Sequence, residues 1–315
     1  MPLPAPPILS IVIVTWNSSR WIDGCLNAVP AACDGLAYEI VIYDNASTDR
    51  TLQVAGDRGA RVIRSTVNDG FAKGMNRAIR SAAGKYVFLL NPDCRLEPRA
   101  LALLVEFLDA HPQAAGAAPL LDGHGQREFQ LRRLPTLRSL ATEIFAFHKL
   151  FPRNRQTAHD RYRDLDLTEP RPIEQPAAAA LLLRREVFDE VGGFDERFTP
   201  AWFEDVDYCR RLAAAGKEVW VVPAARAEHQ GGASLEHVPF ARFTDVWYRN
   251  MWIYARKWLS ASESEMLRWM IIIGMLFRIP AAAAGLAHRD VGRWAAMKAY
   301  AGVMKHAFRR WELGR

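Results

Sequence analysis

The segment Ile8-Leu9-Ser10-Ile11-Val12-Ile13-Val14 constrains this chain more than any other. It is apolar and largely β-branched on both alternating faces, so a strand made from it must be covered above and below. Similar runs recur at Tyr38-Glu39-Ile40-Val41-Ile42-Tyr43, at 61–64 and at 86–90. Helical patterns separate them. Trp21, Ile22, Cys25, Leu26 and Val29 fall at helical spacing behind Ser18 or Ser19 as a cap, and residues 71–83 also read as a helix. Strands alternating with helices at this interval predict right-handed βαβ units and an open, doubly wound α/β sheet. Ligands of such sheets sit beyond the carboxyl ends of the strands.

Further along, residues 123–172 are polar, irregular and arginine-rich, and read as an insertion or lid. From Gln175 the pattern recovers. It predicts a strand over 177–183, a helix over 184–191, a turn at Gly192-Gly193, a helix over 204–215 and a strand over 218–222. No internal repeat is visible. Half of the 315 residues are hydrophobic, which excludes a disordered, collagen-like or simple coiled-coil chain.

The net charge of +6 is unevenly distributed. Residues 249–315 hold twelve Lys/Arg against four Asp/Glu, a balance of +8, and the first 248 residues hold 29 against 31. A nucleic-acid binder is disfavoured, because the body carries no basic surplus. The four cysteines form no C-x-x-C pair and no zinc spacing, and the N-terminal apolar run is too short for a secretory signal or a span. A reducing, cytoplasmic location is the expectation.

Four places could carry chemistry. Asp44 ends a strand and opens the polar turn Asp44-Asn45-Ala46-Ser47-Thr48-Asp49, where a carboxylate can meet a base or ribose or simply cap a helix. Asp93, in Asn91-Pro92-Asp93, is delivered to the sheet edge by an apolar strand. A hard divalent cation bridging a diphosphate needs such a carboxylate, and a turn also uses one. Trp202-Phe203-Glu204-Asp205-Val206-Asp207 offers a general base with aromatics that suit a sugar ring or a core equally, and acids are favoured at a helix start in any case. His229 follows a strand and precedes Gly231-Gly232-Ala233-Ser234, where it could complete a metal site or be an ordinary polar residue. The chain has no G-x-G-x-x-G after its first strand, no P-loop and no G-x-S-x-G elbow. These absences disfavour a nicotinamide dehydrogenase, a P-loop enzyme and an α/β-hydrolase.

Taken together, the segments resemble glycosyltransferase family 2, the inverting nucleotide-sugar transferases of GT-A fold. Ser10-Ile11-Val12-Ile13-Val14-Thr15-Trp16-Asn17 resembles the family's opening strand, and Asp44 to Asp49 its nucleoside-binding turn. Asn68-Asp69-Gly70-Phe71-Ala72-Lys73-Gly74-Met75-Asn76 is similar to its N-x-G-F-A-x-G-x-N segment. Asn91-Pro92-Asp93 stands where its D-x-D stands. Gly192-Gly193-Phe194-Asp195-Glu196 with Glu204-Asp205-Val206-Asp207 is similar to its acceptor-side motif, and the N-G-F-A and N-P-D forms point to the rhamnosyltransferase branch.

The resemblance implies a GT-A catalytic domain over 1–258, made of a nucleotide-sugar half (1–120), an insertion (121–174) and an acceptor half (175–258). It implies donor contacts from Thr15, Asn17, Asp44, Asn45, Asn68, Gly70, Lys73, Asn76 and Asn91. Asp93 and His229 would hold Mg2+ or Mn2+, Asp205 would be the base supported by Glu204, and Trp202 and Phe203 would face the acceptor. The reaction implied moves a sugar, rhamnose from dTDP-rhamnose, onto a glycan or polyprenyl-linked acceptor in cell-envelope polysaccharide synthesis. A UDP-hexose, GlcNAc or galactofuranose donor, or a catalytically inactive sugar-binding module, is the alternative. Two positions depart from the family pattern: Asn91 replaces the first Asp of D-x-D, and Gln175-Pro176-Ala177-Ala178 replaces a small Gly-Ala step.

Residues 259–315 form a C-terminal extension. The apolar run 269–277 falls short of the roughly 20 residues of a spanning helix. Trp294, Met297, Ala301, Met304, Phe308 and Trp311 recur at three- and four-residue steps among Arg293, Lys305, Arg309 and Arg310. This predicts a basic amphipathic helix suited to an anionic membrane surface on the cytoplasmic face, or a helix that packs on the catalytic domain or on a partner chain such as a second copy.

Overall fold

The computed structural model describes residues 7–123, 130–151, 153–231, 238–286 and 291–312, with 148 and 149 by backbone only. The order is β1 (Leu9–Thr15), α1 (Ile22–Cys33), β2 (Tyr38–Asp44), α2 (Thr51–Asp57), β3 (Arg61–Arg64), α3 (Phe71–Ser81), β4 (Tyr86–Leu90), β5 (Cys94–Leu96), α4 (Ala100–Ala110), β6 (Ala114–Asp122) and β7 (Leu131–Arg132). Helices α5 (Leu137–Ile144), α6 (Phe147–Leu150) and α7 (Arg155–Asp160) follow, then β8 (Arg171–Ile173), β9 (Gln175–Pro176), β10 (Ala180–Arg184), α8 (Arg185–Val191), α9 (Glu204–Ala214) and β11 (Glu218–His229). Helices α10 (Phe240–Trp258), α11 (Ala261–Ala283) and α12 (Arg293–Phe308) end the chain. Two compact units result. One comprises 1–134, 161–200 and 204–233, and the other 135–160, 201–203 and 234–315.

The first unit is built on a mixed, mostly parallel sheet ordered β3-β2-β1-β4-β10-β6-β11-β5, with β8 also on β11. Strands β1 to β4 pair in parallel, β10 runs antiparallel to both β4 and β6, and β6 and β11 are parallel. Alternation along β1 explains the two-sided run. Leu9, Ile11 and Ile13 pack with α1 and α4 residues such as Leu26 and Leu104. Val12 joins the opposite core with Met75, Ile79, Phe188 and Tyr208. Thr15 pairs with Asp44 and Ile13 with Leu90, so Thr15, Asp44 and Asn91 reach one carboxyl edge.

Three sequence expectations need correction. Neither Ser18 nor Ser19 caps α1 by its side chain; Trp21 holds the cap position, and the Ser18 hydroxyl accepts the Trp16 amide instead. The strand expected over 177–183 is β10, shifted three residues by its pairing with β4. The strand expected over 218–222 runs on to His229 through a register shift between Val222 and Arg226. Residues 135–160 of the expected insertion group with the second unit.

The second unit is helical. Met251, Trp252, Tyr254, Leu267, Ile271, Met275 and Val303 are among its buried side chains. Helix α10 groups here and not with the sheet, so the compact helical body begins before residue 259. The apolar run 269–277 lies in the 23-residue helix α11, which opens with a Ser260–Glu263 capping box and continues through Pro280. By length and composition alone, α11 could cross a membrane, contrary to the shorter span read from the run.

Candidate active site

The carboxyl edge of β1 and β2 is tied together by short side chains. Thr15 Oγ1 donates to Asp44 Oδ1 at 2.8 Å, Ser47 Oγ donates to the same oxygen at 2.6 Å, and the Ser47 amide donates to Asp44 Oδ2 at 2.9 Å. Asn17 locks the same loop. It adopts a positive φ, its amide donates to Ser47 Oγ at 2.8 Å, and its Oδ1 accepts the Thr48 amide at 2.8 Å. Asp44 is thus a buried carboxylate that shapes the turn, as a short acceptor at a strand end can.

Asn45 carries this order to the next loop. Its Oδ1 accepts the Asp69 amide at 3.0 Å and its Nδ2 donates to the Gly70 carbonyl at 3.3 Å. Asn68 Oδ1 accepts the Gly70 amide at 3.0 Å. Gly70 has φ +86°, and a Cβ there would lie 2.7 Å from the Pro200 carbonyl oxygen, so only glycine fits. Lys73 Nζ is held at 2.6 Å by Asp69, which also accepts from Tyr43 at 2.5 Å, Ser65 at 3.0 Å and Arg77 at 2.8 Å. These donors, Lys73 first, hold the Asp69 carboxyl far below the usual range. Asn76 is buried. It donates to the Phe194 carbonyl at 2.9 Å and to Glu196 at 3.0 Å, and accepts the Phe194 amide at 2.7 Å. It clamps the Gly192-Gly193 turn, where a Cβ on Gly193 would sit 2.5 Å from Asn76 Oδ1.

Across the sheet, β5 pairs with β11 and sets Cys94 opposite His229. This register brings His229 Nε2 to 3.3 Å from Asp93 Oδ1, with the Asp93 carboxylate buried. Ligand atoms of Asp93, Cys94 and His229 lie within 4.8 Å of one another. Cys94 was not among the residues singled out from sequence, and its adjacency to Asp93 was the available signal. Burial raises its thiol pKa well above the ordinary value, and Sγ donates to the Ala179 carbonyl at 3.3 Å. A carboxylate oxygen and an imidazole fit a divalent cation that also binds phosphate oxygens. Gly231 follows β11, and Gly232-Ala233-Ser234 lie outside the described residues.

Glu204, Asp205 and Asp207 open α9 in the first unit, and their environments differ. Asp207 is fully buried and pairs with Arg211 at 3.0 Å, whose guanidinium also donates to the carbonyls of Val191 and Gly193. Glu204 is buried, and its carboxyl pKa is raised well above the ordinary value by burial and then by Asp205. Its Oε2 has no hydrogen-bond partner among the described residues. Asp205 keeps part of its surface open, yet the atoms packed around it raise its pKa, opposed by backbone hydrogen bonds from Val206 and Ala178 and by the Arg132 charge. Arg132 is a second residue that sequence reasoning missed, since it lies in the irregular middle with no local signal.

One short segment connects the two centres. The Ala179 carbonyl accepts the Asn91 amide at 2.8 Å and the Cys94 thiol, while the neighbouring Ala178 amide donates to Asp205. The departure at 175–178 therefore lies against Asp205 and beside the Asn91-Pro92-Asp93 turn. In the second unit, Trp202 and Phe203 both hold positive φ, fixed by Asn250 Nδ2 donating to the Ala201 and Trp202 carbonyls at 2.9 Å each. Phe203 is buried against Trp247 and Tyr254, so it is a core residue, while Trp202 is half-buried edge-on to Phe243.

This fold and these residues define a nucleotide-sugar transferase of GT-A type. The family model for glycosyl transferase family 2 matches residues 10–192, and the chain belongs to that family and is a glycosyltransferase. It is 28% identical over 278 residues, 84% of this chain and 89% of the relative, to the N-acetylglucosaminyl-diphospho-decaprenol L-rhamnosyltransferase of Mycobacterium tuberculosis. Its fold is similar to a mannosyltransferase of Pyrobaculum calidifontis solved with GDP-Man and Mn2+ (TM-score 0.57, 16% identity, 99% of this chain and 89% of that one). A further likeness is to glucosyl-3-phosphoglycerate synthase of Mycobacterium tuberculosis, solved with Mn2+ and UDP (TM-score 0.53, 15% identity, 80% of each chain).

Proposed function

We propose that this enzyme moves rhamnose from dTDP-rhamnose to a lipid-linked sugar acceptor, with inversion at the anomeric carbon, in cell-envelope polysaccharide synthesis. The sugar and acceptor follow the rhamnosyltransferase similar along most of the chain. The observation that carries the chemistry is the Ala178-Ala179 segment, which hydrogen-bonds Asp205 on one side and the Asp93 turn on the other. On this reading the segment would tie the base to the turn of the phosphate-side carboxylate, as a single in-line displacement requires.

Asp205 takes the proton from the acceptor hydroxyl as that oxygen forms its bond to the anomeric carbon. The bond from that carbon to the diphosphate oxygen breaks on the opposite face, and the nucleoside diphosphate leaves with the electron pair. Burial, and then the neighbouring Asp205, raises the Glu204 carboxyl pKa, which disfavours a second negative charge beside the base. The loops ordered by Asp44, Asn45 and Asn68 would form the nucleoside side of the donor site, with Thr15, Asn17, Gly70, Lys73 and Asn91 along that edge. Asp93 and His229 would hold Mg2+ or Mn2+, whose chemistry there is to offset charge on the departing diphosphate. A polyprenyl-linked acceptor would place the enzyme at the cytoplasmic face of the membrane.

A thermal-shift panel of nucleoside-diphosphate sugars with Mn2+, followed by transfer assays, tests this reading, because a ligand of the folded state raises Tm. The largest shift is expected with dTDP-rhamnose. A larger one with a UDP-hexose moves the enzyme to another donor. A shift with no transfer to any lipid-linked acceptor makes it a binding module.

A further inference from the structure

Eleven of the thirteen exposed large apolar side chains among the described residues belong to the helical second unit. On α11 the outward stripe is Met266, Trp269, Ile273, Leu276 and Phe277, spaced by three and four residues, with Phe277 68% exposed. The opposite face carries Leu267, Ile271, Ile272 and Met275, which are buried. Helix α12 shows a similar division. Ala296, Ala299, Tyr300, Val303 and Ala307 are buried, while Trp294 is 76% exposed and Phe308 is also exposed. The apolar stripe legible in the sequence of α12 is thus its outward face, not its packed one. The Trp269 and Phe308 rings meet edge-to-face at 5.8 Å and join the two stripes.

Charge shows what covers this face. Lys298 lies four residues from Trp294, Lys305 four from Ala301, and Arg309 four from Lys305, which sets these exposed cations on the outward side of α12. No acid occurs within α12. The whole second unit holds seventeen Lys/Arg against eight Asp/Glu. Exposed indoles and aliphatics rimmed by lysine suit the headgroup zone of an anionic bilayer, whereas a second copy of this chain would bring like charge against like.

We propose that the outward face of α11 and α12 lies in the plane of an anionic membrane. This rests on the proposed reading only for its purpose, delivery of a lipid-linked acceptor; its physical basis is independent. Helix α11 lies on the surface and does not span, because its other face packs within its own unit and carries buried Arg268. Spanning would pull that face out of its packing and place the guanidinium in hydrocarbon.

The test is flotation of the full chain with phosphatidylcholine vesicles, with and without phosphatidylglycerol, in the absence of donor and acceptor. The wild type is expected to float with the anionic vesicles and to be released by high salt. Lys298→Glu with Lys305→Glu should weaken this partition by about fivefold per charge removed. Phe277→Glu should abolish it while circular dichroism stays native. Failure of the wild type to float overturns the proposal. So does a concentration-dependent dimer that Phe277→Glu dissociates without changing flotation. Absence of sugar transfer by a chain that still floats would count against the proposed reaction and leave the membrane face standing.

Discussion

Asp205 accepts backbone hydrogen bonds from Val206 and Ala178 while burial works against its charge, and burial is the larger effect. A base held this way loses activity on the acid side at a pH above the ordinary aspartate value of about 3.9. A kcat/KM profile over pH is expected to show that limb, and Asp205→Asn to lower kcat by about 10²- to 10⁴-fold while calorimetry still detects donor binding. Near-normal turnover in that variant would remove Asp205 from the role. Glu204 gives a stability effect of definite sign. Its folded pKa is raised, so its contribution is full below the ordinary glutamate value of about 4.3 and is lost as pH rises. Glu204→Gln should therefore raise Tm at pH 8, with the gain shrinking toward pH 4, as thermal melts across that range would show. At this scale the sequence was uneven. Asp69 four residues before Lys73 was a readable local pair, whereas Asp93 and His229 meet only through the pairing of β5 with β11. Local pattern carries no such information.

Strands β1, β2 and β4 were legible because burial on both faces leaves a continuous apolar run. Short strands such as β8 and β9 carry two or three residues and have no period to read. Helix α12 was legible only in part. It has small or apolar residues on both sides, and periodicity finds a stripe without saying which side is covered. The turn before α9 was also invisible, because its positive-φ pair, Trp202 and Phe203, is imposed by Asn250 from α10. Asn250→Ala leaves two carbonyls without their donor and should cost about 1–3 kcal/mol. Denaturant melts would measure it, and a variant as stable as wild type would show the contact to be dispensable. Gly70→Ala forces a positive φ on alanine and meets the Pro200 carbonyl. It is expected to lower Tm and raise KM for the donor, since the Asn45 and Asn68 loops close on that residue.

Taken whole, the molecule separates its charge. The sheet unit carries 24 Lys/Arg against 27 Asp/Glu, and the helical unit carries the surplus. A nucleoside-diphosphate sugar therefore meets a body with no general attraction for it, and the proposed phosphate side would present a buried carboxylate, Asp93, that repels it. If Asp93 lies on the donor's phosphate side as proposed, donor affinity is expected to depend on a divalent cation. The ligand-free fold does not, because Asp93 and His229 already lie 3.3 Å apart and the Cys94 thiol is satisfied by Ala179. Chelation by EDTA is expected to leave Tm of the free chain unchanged and to erase the shift caused by dTDP-rhamnose, which Mn2+ then restores. Asp93→Ala should behave like the chelated wild type and show no Mn2+ binding by calorimetry. An undiminished donor shift in EDTA would mean that Lys73 and neighbouring backbone amides hold the diphosphate unaided. A fall in Tm of the free chain would instead make the metal part of the fold.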